Sequence, residues 1–342
     1  MLCPPDRNTM RTAVTMRSRT PHRMSLWFVS ILLLAPALRA QTQQPEDEIV
    51  ANLAGGRVIV HVTRDNIVFA AIDQPIEANS IPPRVMDLDP GHVAVLFGAS
   101  EWRLPADPKP VRLDRNFQRA GAQDPKYQVY AGEAEPDLES IGVAFLEKLR
   151  PLVAQLHHKI DFRPDDPLFE AVIIGYAPNG YGPEVWTVEY RIQQEEIAAR
   201  GDYWQTRIQR PRFEQLYPPE KKAPRTLVET RYPADSKGPT LEALIESNDP
   251  RVARLRNGDQ RFAKLFEVID KGQAQKAVGA DAADFLRAAI PVIAPNARFV
   301  LATMGEDRGF EWVVEPDDPM EKAKVDKDRP PDAPTLRRKP NP

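Results

Sequence analysis

Short runs of alternating or continuous apolar residues, separated by turn-forming residues, recur along most of the chain. Arg57–Thr63 alternates, and the strand-forming run Asn66–Asp73 follows a tight turn. Such runs predict β-hairpins, because strands place successive side chains on opposite faces of a sheet. The predicted hairpins span 57–73, 84–98, 169–192 and 298–314. Residues expected in two stacked sheets of one domain are Ile59, Val68, Val95, Ile173 and Val300.

Apolar residues recur at helical spacing between these hairpins. Leu138–Ile160 is predicted to be a helix, and so is Ala274–Ile293. The segment Leu241–Ile269 is predicted to be mostly helical, with breaks at 248–250 and 257–258. Antiparallel hairpins with helices between them indicate an α+β protein with two packed sheets covered by helices.

The two ends of the chain differ from this pattern. Residues 1–40 combine a basic start, an apolar run over Leu26–Leu34 and small residues up to Ala40, which predicts a signal peptide. A membrane anchor is the alternative, but the apolar run is shorter than the roughly 20 residues a spanning helix needs. We therefore expect an exported protein, periplasmic or extracellular. Residues 316–342 are rich in proline and charge, which predicts a disordered tail.

Composition narrows the classes of partner and of chemistry. Without residues 1–40 the chain keeps 40 basic and 48 acidic residues, a net charge near −8. This balance argues against binding to nucleic acid or to anionic membranes. The only cysteine, Cys3, lies in the predicted leader, so the exported chain has no disulfide and no thiolate. Prolines concentrate in 103–136, 208–240 and 316–342, which are expected to be loops outside the core.

The order of these patterns resembles the proteasome-type subunits of the N-terminal nucleophile (Ntn) hydrolases. Three stretches carry the resemblance: "DNIVFAA" at 65–71, "RVMDL" with Phe97-Gly98, and "GY" with "GP" and Trp186 in the hairpin 169–192. It covers about Arg57–Val314 and implies the family's four-layer α-β-β-α sandwich. The Pro-rich stretch 103–136 stands where the family has a helix, and 203–240 is a further insert.

The resemblance implies a catalytic pattern that this chain does not keep. The family uses a Thr, Ser or Cys at the mature N-terminus, whose α-amino group is the base, with a nearby Asp, Lys and oxyanion-binding glycine. The chain retains the glycine but has no hydroxyl or thiol group at the nucleophile position. The family-equivalent positions for nucleophile, Asp, Lys and glycine are Gly56, Ile72 (with Asp73 next to it), Arg84 and Gly98.

Other candidate residues give no recognised constellation. His61 and His92 are expected on core strands that could be neighbours in the sheet. They could form a catalytic or metal-binding pair, or they could be buried histidines with a structural role. His157 and His158 are adjacent on a helix and form a poor metal pair. The aromatic and basic stretch 203–219 is interpreted as a surface hairpin, with a binding ribbon as the alternative. No cofactor and no metal are expected.

Two function classes follow for a domain at 57–315, preceded by a segment at 41–56. The first is a binding or structural/assembly protein without threonine-peptidase activity, with an unknown protein or peptide partner. The alternative is an Ntn hydrolase whose nucleophile is Thr63 or Ser80, or is exposed by later proteolysis. Proteasome-type subunits assemble into rings, and the Pro-rich inserts fall where neighbouring subunits of such a ring would contact this chain. We therefore expect a monomer or small oligomer.

Overall fold

The computed structural model describes ten stretches of the chain. They are 52–74, 81–89, 91–102, 111–123, 138–157, 166–177, 182–201, 203–219, 227–236 and 238–316. These residues all belong to one compact unit. The predicted signal peptide and the predicted C-terminal tail lie outside the described residues. So does Ser80.

The first sheet has seven strands, all paired antiparallel, and β5 is its longest member. On one side β5 pairs with β7, which continues through β8 to β11. On its other side β4 and β1 pair with successive parts of β5. The short β6 pairs with the last two residues of β5, on the side opposite β1. The strands are β1 (Asn52–Ala54), β4 (Arg84–Asp89), β5 (His92–Trp102), β6 (Val111–Arg112), β7 (Phe169–Ala177), β8 (Gly182–Tyr190) and β11 (Arg212–Tyr217).

The second sheet has five antiparallel strands in the order β12-β2-β3-β13-β14. They are β2 (Gly56–Val62), β3 (Ile67–Asp73), β12 (Val228–Tyr232), β13 (Phe299–Gly305) and β14 (Gly309–Val314). A separate hairpin pairs β9 (Ile192–Glu196) with β10 (Trp204–Ile208).

Six α-helices complete the described part of the chain. They are α1 (Leu113–Gln123), α2 (Leu138–Val153), α3 (Leu241–Glu246), α4 (Pro250–Gly258), α5 (Gln260–Asp270) and α6 (Gly279–Ile293). The boundaries between α3, α4 and α5 follow from capping residues. Thr240, Asp249 and Asp259 each accept a hydrogen bond from a backbone N–H of the first turn that follows.

Buried apolar residues form three clusters. The first contains residues of the first sheet together with α1 and α2, and the second contains residues of the second sheet together with α3 to α6. The third draws on both sheets, with Val58 and Phe69 from one and Val95 and Val172 from the other. Alternation explains this division, because neighbouring residues of each strand point to opposite faces.

The four predicted hairpins, the positions of the predicted helices and the α+β class are confirmed. The helix predicted from Leu138 ends at Val153, and the helix predicted from Ala274 begins at Gly279. The five residues expected in two sheets lie there: Val95 and Ile173 in the first, and Ile59, Val68 and Val300 in the second. The antiparallel sheets and the helices are compatible with a sandwich.

Two predictions about the Pro-rich stretches are wrong. The stretch 103–136 contains α1, whose Leu113 and Phe117 are fully buried against α2 and the first sheet. The stretch 208–240 supplies β11 to the first sheet and β12 to the second. Proline marks the loops around these elements, but the apolar residues between the prolines still reach the core. In the described part of the chain, no helix has the length and apolar character to cross a membrane.

Candidate functional site

The family-equivalent positions meet where the chain passes from the first sheet to the second. Ala54, the last residue of β1, is the cross-strand partner of Gly98 in β5. Two residues later, Gly56 begins β2 and pairs with Asp73 at the end of β3. Gly56 therefore lies two residues beyond the cross-strand partner of Gly98. We call Gly55 and Gly56 the junction.

Backbone hydrogen bonds hold both sides of the junction. The N–H of Gly55 donates to the carbonyl oxygen of Ile81 at 3.2 Å, and the N–H of Gln74 donates to the carbonyl oxygen of Gly55 at 3.3 Å. The N–H of Ile81 donates to the Leu53 carbonyl at 2.9 Å, next to a parallel bridge between Ala54 and Ile81. The segment before β2 is thus built into the first sheet.

The junction leaves no room for a side chain at the nucleophile position. A Cβ atom on Gly56 would lie 2.2 Å from the carbonyl oxygen of Ile72 and 2.6 Å from Cγ of Pro83. Both distances are shorter than any contact a real Cβ makes, and the nearer one is to backbone. Gly98 is constrained in the same way, with φ +82° and a Cβ position 2.4 Å from the Leu168 carbonyl oxygen. Both glycines are therefore required by close backbone approach.

The remaining family-equivalent positions hold structural residues. Ile72 is fully buried in the cluster that contains α3 to α6. The carboxylate of Asp73 accepts hydrogen bonds from Arg298 at 2.8 and 3.2 Å. Arg84 pairs with Leu96 at the start of β4. The structure brings Gly56, Asp73 and Gly98 together, but the group at the nucleophile position has neither hydroxyl nor thiol.

Aromatic residues and one carboxyl group occupy the space between the sheets near the junction. Tyr232 is the cross-strand partner of Gly56, and its ring stacks on Phe97 with centroids 6.1 Å apart. The Tyr232 hydroxyl donates to the carbonyl oxygen of Pro167 at 2.8 Å. Glu170 pairs across the sheet with Phe97. The hydroxyl of Thr230 on the second sheet donates to Glu170 Oε1 at 3.3 Å.

Burial raises the pKa of Glu170 from 4.5 to about 8. Removal from water disfavours the charged carboxylate, and the nearby Glu189 carboxylate adds to the effect. The hydrogen bond from Thr230 and the charge of Arg191 act in the opposite direction, and Asp166 raises the pKa slightly further. Glu170 is therefore protonated at neutral pH. Sequence reasoning missed it, although a glutamate in the apolar run Phe169–Ala177 is the signal that could have indicated it.

The expectation that His61 and His92 could be neighbours is wrong. His61 lies on β2 of the second sheet and His92 on β5 of the first. The His61 ring is fully buried, with Nε2 3.4 Å from the carbonyl oxygen of Ala274. Its Nδ1 has no hydrogen-bond partner among the described residues. Burial lowers its pKa from 6.5 to about 4, so His61 is neutral at pH 7. It is a buried structural histidine.

His92 belongs to a second polar group at the end of the first sheet. Its Nε2 lies 3.0 Å from Glu184 Oε1, and the indole N–H of Trp186 donates to Glu184 Oε2 at 2.8 Å. The imidazole ring covers Gly175, where a Cβ would lie 2.4 Å from His92 Cδ2. This close approach explains the glycine in the Gly175-Tyr176 pair. The His92 ring is 3 % exposed, which leaves little surface for a substrate.

The other candidates also have structural partners. The Thr63 hydroxyl lies inside the β2–β3 turn, 2.6 Å from the Asn66 carbonyl oxygen, and its bonds among the described residues are to Asn66 and Asp65. The His157 ring stacks on Tyr203 at 4.5 Å. The side chain of Thr63 therefore serves the turn. The placement of His158 and Ser80 lies outside the described residues.

The stretch 203–219 is not a hairpin of its own two halves. Its first part, β10, pairs back with β9, and its second part, β11, pairs with β8 in the first sheet. Several of its arginines are exposed, among them Arg207, Arg210 and Arg212. The surface position is confirmed, and the predicted pairing is wrong.

Within the described stretches, no group of three or more His, Cys, Asp or Glu residues could hold a metal ion. No protein-family model matches the sequence, and the search of curated proteins gives no significant match.

Proposed function

We propose that residues 57–315 form a proteasome-like domain of the Ntn-hydrolase type that lacks threonine-peptidase activity and acts as a binding or structural/assembly protein. The four-layer α-β-β-α order is part of this proposal. It is supported by the composition of the three core clusters, one shared by both sheets and one joining each sheet to its own helices. The helix α1 within 103–136 supports it too, since it removes a departure from the family pattern.

The observation that carries the proposal is the close packing around Gly56. The resemblance places the nucleophile at Gly56, which lies two residues after Ala54, the cross-strand partner of Gly98. Gly56 has no side chain and no space for one, so the chain has no group there that could cut the preceding peptide bond and expose an α-amino base. Losing both nucleophile and base removes the covalent route rather than weakening it.

The free edges of the sheets support a binding role for such a domain. Among the described strands, β11, β12 and β14 each pair on one side only. Their outer N–H and C=O groups can accept an extended segment of a protein or peptide partner as an added strand. The leader-like residues 1–40 favour an exported protein that meets this partner in the periplasm or outside the cell.

The decisive experiment is intact mass analysis of the exported protein with a peptidase assay. We expect a mature chain that still contains β1 and shows no turnover of short fluorogenic peptides. Introducing a hydroxyl by Gly56→Thr should give neither self-cleavage nor turnover, because the new side chain clashes with the Ile72 carbonyl oxygen. A mature N-terminus at Gly56 or Thr63, or turnover abolished by an Ntn-type inhibitor, contradicts the proposal.

A matched pair of alanine variants tests the geometry of the junction separately from activity. Gly56→Ala should lower the free energy of unfolding by about 1–3 kcal/mol, since overpacked buried sites cost that much. Gly258→Ala, where nothing lies within 4 Å of the new Cβ, should change it by less than about 0.5 kcal/mol. Urea denaturation measures both. Equal effects would show that the junction is not close-packed.

A further inference from the structure

Two arginines share one buried glutamate on the second sheet. Arg57 on β2 and Arg231 on β12 are cross-strand partners, and Glu229 lies two residues before Arg231. The side chains of Arg57, Glu229 and Arg231 are 7, 4 and 11 % exposed. We call these three residues the Glu229 cluster. It carries two positive charges and one negative charge in a place with little water.

Arg231 and a backbone N–H take most of the hydrogen-bonding capacity of the Glu229 carboxylate. Oε1 accepts from Arg231 Nη2 at 2.7 Å and from Nε at 2.9 Å, and Oε2 accepts from the N–H of Leu241 at 2.8 Å. Arg57 approaches the same Oε1 only with Nη1, at 3.5 Å, which is beyond the usual range of a good hydrogen bond. Glu229 is therefore neutralised chiefly by Arg231.

Among the described residues, none bonds to the Nε and Nη2 edge of the Arg57 guanidinium group. Among the described residues its hydrogen bond to Glu229 uses Nη1, and the buried Nε has no partner. Nε and Nη2 point from the same edge of the planar group, the fork that binds two oxygens of one carboxylate or phosphate. Burial lowers the pKa of Arg57, the charge of Glu229 raises it and that of Arg231 lowers it again. A buried cation without full compensation is costly.

The free edge lies close to an exposed glycine. At Gly238 the chain has φ +113°, and among the described residues a Cβ built there would come within 4 Å of Arg57 Nη2 alone, at 3.9 Å. Arg231 Nη1 fixes this segment by donating to the carbonyl oxygens of Gly238 and Ser236. Nη2 therefore lies next to the surface at Gly238, where a small group can approach it.

We propose that the Nε and Nη2 edge of Arg57 binds a small oxyanion, a phosphate or a carboxylate group, that enters beside Gly238. The anion supplies the negative charge that the Glu229 cluster lacks. Arg231 holds Glu229 and the covering segment in place, and contributes to the positive potential without contacting the ligand. Arg57 directly follows the junction, but anion binding at its free edge requires no hydrolase chemistry.

Binding is tested first on the unmodified protein. Phosphate and acetate are titrated separately at constant ionic strength, with chloride as the balancing salt, and binding is followed by calorimetry and thermal unfolding. We expect saturable binding of one anion per chain and a rise in melting temperature that grows with its concentration. Phosphate binding alone or acetate binding alone identifies the preferred source of the oxyanion. If neither exceeds chloride, the proposal is wrong.

Variants assign the binding to Arg57. Arg57→Met keeps the aliphatic length and removes the fork, so the Kd for the anion should rise at least about tenfold, the loss expected for charge-assisted hydrogen bonds. Arg57→Lys keeps the charge without the fork and should give an intermediate Kd. The control is Arg298→Met, which removes an exposed arginine paired with Asp73.

The variants also distinguish a fold defect from a binding defect. Arg57→Met should unfold cooperatively in chloride, because Glu229 keeps Arg231 as its partner. If Arg57→Met does not fold, the Kd of Arg57→Lys is compared with that of the unmodified protein to decide whether Arg57 binds the anion. Binding that is unchanged in Arg57→Met or Arg57→Lys, or equally weakened in Arg298→Met, overturns the assignment to Arg57.

Discussion

Glu170 in the first sheet and His61 in the second are buried titratable side chains that respond to pH in opposite directions. Glu170 lies on the face of the first sheet that meets the second, with Val172 and Ile174 on the same side. His61 lies on the face of the second sheet that packs against the segment around Ala274. Burial keeps Glu170 protonated and His61 unprotonated, so both are neutral at pH 7. Charging either one costs folding free energy.

A third buried group on the second sheet makes the contrast clearer. The Glu229 side chain is 4 % exposed, and two arginines and a backbone N–H surround its carboxylate. Glu170 has a hydroxyl hydrogen bond at 3.3 Å and a neighbouring carboxylate at Glu189. The two carboxyl groups therefore differ in the number and the sign of their partners.

The largest expected effect concerns Glu170. Its pKa is raised in the folded state, so the folded protein holds a proton that the unfolded chain loses above pH 4.5. Stability should therefore fall as the pH rises from about 4.5 to about 8, by an amount on the order of 5 kcal/mol. Urea midpoints at pH 5, 7 and 9 measure the loss.

Substitution isolates the contribution of Glu170 from other titrating groups. Glu170→Gln cannot ionise, so its stability relative to the unmodified protein should increase from pH 5 to pH 9. Glu195→Gln, at an exposed position on β9, is the matched control and should follow the unmodified protein. A constant difference between Glu170→Gln and the unmodified protein across this range would mean that Glu170 is not buried as a neutral acid.

The loss of folding stability at acidic pH should depend on His61. Its pKa is lowered in the folded state, so the unfolded chain takes up a proton first as the pH falls. Stability should be lost between about pH 6.5 and about pH 4, by on the order of 3 kcal/mol. His61→Leu removes the ionisable ring and should reduce this loss.

NMR titration of the imidazole signals checks the same point directly. The His61 ring should remain neutral at pH 5. For the stability measurement the control variant is His157→Gln, which removes a histidine whose ring stacks on Tyr203. An imidazole of His61 that is protonated at pH 6 would contradict the prediction, and so would an unchanged acid loss in His61→Leu.

Apolar periodicity predicted most of the elements that these groups depend on. The hairpins β2–β3, β4–β5, β7–β8 and β13–β14 and the helices α2 and α6 follow from local pattern and turn residues. The helix α1 was missed because prolines surround it, although Leu113, Phe117 and Ala120 have helical spacing. The three-residue β1 has no local signal, since its conformation comes from pairing with β5.

The candidate sites were harder to predict than the elements. The pairing of Gly56 with Asp73, at the open end of the β2–β3 hairpin, follows from the local strand pattern. The Thr230–Glu170 contact and the Glu229 cluster join residues far apart in sequence on different strands. The spacing of residues along the sequence does not predict such contacts. Only an ionisable residue within an apolar strand, such as Glu170 in β7, indicates a buried polar site.

The smallest expected effect concerns Thr230, the hydrogen-bond partner of Glu170. Its hydroxyl group lowers the pKa of Glu170, which means that the hydrogen bond is stronger to the carboxylate than to the neutral acid. Thr230→Val keeps the shape but removes the hydroxyl, so it should destabilise the protein at pH 9 by about 1 kcal/mol, the usual net contribution of one hydrogen bond. At pH 5 the change should be smaller, because Glu170 is then protonated.

In the Glu170→Gln background the pH dependence of the Thr230→Val effect should disappear. An equal effect of Thr230→Val at both pH values would show that Thr230 stabilises the sheet edge without acting on Glu170.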